Sequence, residues 1–153
     1  MDISPVIQIH LAVALYAVLI GPIAVFRPRR DITHKILGYS WVLAMALLAG
    51  SSFFITEIRH GRFSLIHILS CLVLVSLVRG LWLIGQRGIN AHARQMQALY
   101  LQILLGAGGF TFLPDRAMSR LFFSQNPWLG FACMMGVCTV VILLWRRQAK
   151  RLA

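Results

Sequence analysis

Four of the chain's 5 histidines stand at the mouths of apolar runs. His10 lies in VIQIHLAVAL, His67 in FSLIHILSCL, His34 in DITHKILGYS and His92 in NAHARQMQAL. Imidazole titrates near neutral pH, relays protons and ligates metals. A six-coordinate haem takes two imidazoles, one on each face of the macrocycle. Ionisable groups inside a lipid-facing segment are costly, and they mark ion, proton or cofactor sites. The fifth histidine, His60, falls in a polar loop and reads as ordinary. Acidic residues number only 4. One of them, Glu57, follows Ser51, Ser52 and Thr56 at the end of an apolar run. No nucleophile elbow, P-loop, HExxH or GxGxxG pattern occurs, which disfavours a soluble-type hydrolase and a nucleotide-driven pump.

The elements that carry these histidines are set by composition. Of 153 residues, 59% are hydrophobic and 12% charged, and the mean hydropathy is +0.77. A soluble domain carries roughly twice that share of charge. The apolar residues come in five blocks, at about 6–26, 36–55, 63–84, 94–112 and 128–145. Each approaches the ~20 residues a helix needs to cross the hydrocarbon. The runs are continuous rather than alternating, which argues against a barrel. The expected fold is all-α: a single polytopic membrane helical bundle, an up-down four-helix core plus a fifth C-terminal transmembrane helix. The first run lacks a following A-x-A cleavage site and reads as retained. Gly38, Gly50 and the GAGG at 106–109 are expected to let helix backbones approach closely. The tryptophans are expected near span ends, as an interfacial belt. Cys71, Cys133 and Cys138 sit within apolar runs and form no CxxC pair, so they read as small hydrophobes.

The net charge is +11. The basic residues fall between the apolar runs, as topology signals do, so nucleic acid is not the expected partner. With the N-terminus outside, one side receives Arg27, Arg29, Arg30, Lys35, Arg87, Arg94 and the C-terminal Arg146, Arg147, Lys150 and Arg151. The other receives only Arg59, Arg62, Arg116 and Arg120. The positive-inside rule then gives N-out and C-in, and the bacterial family resemblance set out below makes the expected membrane the bacterial inner (cytoplasmic) one. Arg79, inside the third run, is left to snorkel toward the inner surface.

On this topology His10 and His67 lie near the outer face, and His34 and His92 at the inner face. Each pair comes from alternate helices, which sit diagonally in an up-down bundle. The sharp expectation is a small b-type-cytochrome-like electron carrier. It would have His10 with His67 and His34 with His92 as axial ligands of haem b, Arg30, Arg62 and Arg94 at the propionates, and a quinone or redox subunit as partner. Any enzymatic role would be that of a membrane oxidoreductase. Two other readings stay open. One is a non-enzymatic accessory or assembly subunit of a larger membrane complex. The other is a metal-handling or transport protein using His10, Glu57 and His67, since two imidazoles and a carboxylate can hold a transition metal. Histidines at helix ends can also simply hydrogen-bond headgroups and water, and Glu57 can pair with Arg59 or Arg62. On the third run, an inward His67 is expected to share its stripe with Cys71, Leu74 and Val78. A buried face set by Ser70 and Leu77 would leave it at the edge.

Four stretches carry a family resemblance: HKILGYSWVLAMALLAGSSFFI, GRFSLIHILSCLVLVSL, AHARQMQALY and GAGGFTFLPDR, with IHLAVALYAVLIGPIAV before them. In order and spacing the chain resembles the bacterial predicted-membrane-protein family catalogued as domain of unknown function two-three-zero-six, over roughly residues 7–122. On that resemblance the fifth span looks like an addition to a four-helix core. Members usually carry Arg after the second-helix histidine, where this chain has Lys35. They carry His-Arg in the fourth helix, where this chain has His92-Ala93-Arg94. The resemblance implies a helical integral membrane protein and no particular reaction.

Overall fold

The computed structural model describes residues 5–27, 30–55, 65–103, 106, 108–111 and 126–152. Among these every regular element is helical: α1 (Pro5–Phe26), α2 (Ile32–Ser52), α3 (Leu65–Gly85), α4 (Ile89–Ile103), a single turn at Gly109–Thr111, and α5 (Pro127–Leu152). Two compact units are formed, Met1–Met96 and Gln97–Ala153.

In the first unit α2 packs against both α1 and α3. The α1–α2 seam is antiparallel. His10 lies opposite Ser51, Tyr16 bonds Ser40 (2.9 Å), and the Trp41 indole N–H donates to the Ala17 carbonyl (3.0 Å). On α1 the buried residues are Ala17, Gly21 and Ala24, spaced to share one face. Small side chains there admit the bulk of Trp41, which is 1% exposed. This is how helices associate in lipid, where close backbone approach and dispersion replace the hydrophobic effect. The expected tryptophan belt is corrected at this residue: Trp41 is buried in mid-helix, while Trp82 and Trp128 are exposed near helix ends.

The outward faces are as apolar as the inward ones. Leu19, Tyr39, Leu43, Val75 and Val78 are all exposed, an arrangement that only lipid satisfies. Pro5–Phe26, Ile32–Ser52 and His67–Gly85 are each long and apolar enough to cross a membrane, and Trp128–Leu143 is a shorter apolar stretch. In the fourth expected span, given as 94–112, the helix begins earlier, at Ile89, and its described regular part is Ile89–Ile103. Beyond it Gly106 and Gly108 lie in wider π-type turns, which glycine tolerates.

The α3–α4 corner explains that early start. The Arg87 N–H donates to the Ile84 carbonyl and the Gly88 N–H to Leu83 (3.0 and 2.9 Å), a Schellman closure. Its left-handed position is held by Arg87, with φ 59°, where glycine is usual. Arg87→Gly should therefore stabilise the protein by about 0.5–1 kcal/mol. A rise in the detergent melting temperature checks this, and a fall would show that the arginine side chain contributes more than its backbone strain costs.

The second unit holds the end of α4, with Leu99, Tyr100, Leu101 and Ile103 buried, and α5, with Met134, Cys138 and Val141 buried at helical spacing. A β-carbon on Gly108 would collide with the end of Met134, so the close approach expected of the GAGG segment exists there. It does not exist at Gly38, Gly50 or Gly109, where a β-carbon would meet nothing.

Candidate functional site

Three of the four histidines lie in the described first turns of α1, α2 and α4 or just beyond, and His67 sits in the first turn of α3. His34 and His92 are helical residues here, four and five positions further inside than a loop reading of their runs implied. The cause at α2 is its cap. Asp31 takes an extended backbone, its Oδ1 accepts the His34 backbone N–H (3.0 Å), and its carbonyl accepts from Lys35 (3.2 Å). This satisfies amide groups that a helix start leaves without partners. Arg27 donates to the same carboxylate through Nε (3.3 Å) and Nη2 (2.7 Å).

The Arg27 hydrogen bonds, reinforced by the His34 amide, hold the Asp31 carboxyl at about 2. Because the folded value lies below the unfolded one, the contribution is complete above about pH 4 and disappears as pH falls through about 2. Asp31→Asn should flatten the acid side of the stability profile between about pH 4 and pH 2. Melting curves at stepped pH check this; an unchanged acid limb would place the acid sensitivity elsewhere.

At the end of the first unit where α2 starts, His34 lies near Ala24 and within electrostatic reach of His92 and Arg30. Its Nδ1 is buried without a hydrogen-bond partner. His92 Nδ1 lies 2.7 Å from the Gly80 carbonyl, so Nδ1 is its protonated nitrogen and Nε2 keeps the lone pair. Gly80 is closely approached there: a β-carbon on it would collide with the flexible end of Met96, which packs one turn beyond His92.

At the opposite end the last turn of α2 gathers both remaining histidines. Ser51 meets His10, with Nδ1 to Oγ at 2.8 Å. The Ser51 hydroxyl already donates to the Leu48 carbonyl (3.1 Å). Its one proton is spent, so His10 Nδ1–H is the donor and Nε2 keeps the lone pair. Ser52 donates to the Ala49 carbonyl (2.7 Å) and meets the Ser70 hydroxyl (2.5 Å). Phe53 lies against the His67 ring, centroids 5.7 Å apart. His67 is buried, in one stripe with Ser70, Val73, Leu77 and Gly80. The expected stripe through Cys71 and Val78 is corrected: both are exposed. The face set by Ser70 and Leu77 is the buried one, and His67 belongs to it.

Glu57 and Arg62 lie outside the described residues, as does His60. Among the described residues no group of three or more His, Cys, Asp or Glu could hold a metal ion. Sequence reasoning missed Gly80, although a lone glycine inside an apolar helix is a signal for close approach. It noted Ser51 only as a neighbour of Glu57.

The family model described as predicted membrane protein (DUF2306) matches residues 7–145. The chain belongs to that family. DUF2306 therefore accounts for the apolar outer faces: this is an integral membrane protein, multi-pass and all-helical. The match runs through most of α5, so the fifth helix is part of the family's extent rather than an addition to a four-helix core. No curated protein matches the chain, and no solved structure does.

Proposed function

We propose that this protein is a membrane electron carrier that holds b-type haem between His34 and His92 and, at the other end of the helices, between His10 and His67. The observation that carries the reading is the state of the imidazoles. His10 and His92 each commit Nδ1 to a fixed acceptor, Ser51 Oγ and the Gly80 carbonyl. Each keeps a lone pair on the other. Ligating histidines are held in this way, because the outer hydrogen bond fixes the ring and raises its basicity. A buried nitrogen without a partner, as at His34 Nδ1, is otherwise a cost of about 1–3 kcal/mol.

Bound haem would supply one-electron chemistry at each end of the membrane-spanning helices. The chain's residues then do the rest. Gly80 would fix the His92 ring from α3, so that His92 presents Nε2 from α4, and His34 would present its partnerless Nδ1 from α2. Arg30, already within electrostatic reach of His34, and the exposed Arg94 would meet the propionates. Apolar surroundings disfavour the more highly charged oxidised centre and raise its potential. A quinone or a redox subunit would exchange electrons at either end, and the positive-inside bias supports the cytoplasmic face of a bacterial inner membrane for the His34 end.

The test is a reduced-minus-oxidised spectrum with a pyridine haemochrome assay on detergent-purified protein produced with haem available. Sharp b-type bands support the carrier. A colourless protein refutes it and leaves the accessory-subunit reading, which partner capture from the native membrane would then pursue.

A further inference from the structure

Arg79 faces outward from α3 and is exposed, although it lies inside a helix apolar enough to cross the bilayer. Arginine brings a full positive charge to that position. A lipid-facing charge of this kind needs an anion or water at its tip. The chain has little anionic charge to offer: 15 basic residues stand against 4 acidic ones. Asp31 is the acidic residue among those described, and it is bound to Arg27. Among the described residues, then, no carboxylate is left to meet Arg79.

The surroundings of Arg79 say which anion. Leu74, Val75, Val78, Arg79 and Trp82 line one open groove with almost wholly apolar walls. They occupy two adjacent i, i+4 rows on the face of α3 opposite the buried His67–Gly80 stripe. Arg79 is six residues before the helix end at Gly85, about 9 Å along the axis. A snorkelling guanidinium spans most of that depth and reaches headgroup level. Trp82, one turn closer to the end and exposed, lies where indoles favour the interface. The Leu74, Val75 and Val78 walls continue toward the membrane interior.

We propose that this groove is a binding site for one anionic phospholipid, its phosphate on the Arg79 guanidinium beside Trp82 and an acyl chain along Val78, Val75 and Leu74. The charge lies at the end and the apolar walls lead inward, which is the order of a phospholipid and not of a free phosphate. The site is independent of the histidines.

Native mass spectrometry of the full chain, released from nanodiscs of equal phosphatidylglycerol and phosphatidylcholine, tests this. The wild-type protein should retain phosphatidylglycerol about fivefold over phosphatidylcholine, the effect of one basic residue at an anionic surface. Arg79→Gln should erase the preference, Arg79→Lys should keep part of it, and Arg87→Gln should leave it intact. Equal preference in wild type and Arg79→Gln would overturn the site. So would a dimer, formed in phosphatidylcholine alone and broken by Arg79→Gln, which would assign this face to a second copy of the chain.

Discussion

Replacing His92 with alanine is expected to remove about half of the haem from the purified protein and leave the remainder with an unchanged spectrum. His34→Ala should do the same, and the double variant should lose no more than either single one, because a bis-imidazole centre fails when one axial ligand goes. His10→Ala and His67→Ala should remove the other half. Ser51→Ala should be milder. It frees the His10 ring without deleting it, and losing such an outer hydrogen bond typically costs 10–100-fold in affinity or activity at a metal site. Haem-to-protein ratios by pyridine haemochrome check all six variants. Loss of all haem in any single variant would show one shared centre rather than two. Unchanged haem in His34→Ala and His92→Ala would remove those residues from the ligand set.

Trp41→Ala should be the most destabilising substitution in the first unit. The indole is buried between α1 and α2 and donates to Ala17. In water such a truncation costs about 3–5 kcal/mol. In a bilayer the transfer part shrinks, because lipid is as apolar as the core, and the lost packing remains. We expect about 2–4 kcal/mol. Trp41→Phe keeps most of the volume and loses the hydrogen bond, at about 1 kcal/mol. Unfolding with sodium dodecyl sulfate in mixed micelles, followed by circular dichroism, measures both. Equal resistance in Trp41→Ala and wild type would mean that the seam does not limit stability.

The comparison of sequence and structure divides along a physical line. The spans in α1, α2 and α3 were legible because length and apolarity set them. The Asp31 cap of α2 has a sequence signature, a short carboxylate just ahead of an apolar run. The ends at which the histidines fall were legible from the order of spans alone. The rotation of the helices was not. In α1, α2 and α3 the lipid-facing and inward faces are equally apolar, so no periodicity marks the core. The burial of Trp41 and the Ser70–Leu77 face of α3 could not be read from hydropathy for that reason. The start of α4 was misplaced for a different one: its polar first turn hid the fact that a backbone closure at Arg87, not hydrophobicity, begins the helix.

α2 makes every contact described above for His10, and it supplies His34 itself. One rigid rod therefore carries a part of both histidine sites, its Ser51–Phe53 turn at one end and its Asp31-capped turn at the other. Any roll of that rod about its long axis displaces both ends at once and by the same angle. Adjusting one site by reorienting α2 would detune the other, so independent adjustment is confined to α1, α3 and α4. The two ends are geared together through a common axle, and substitutions along its length, at Trp41 above all, should be felt at both.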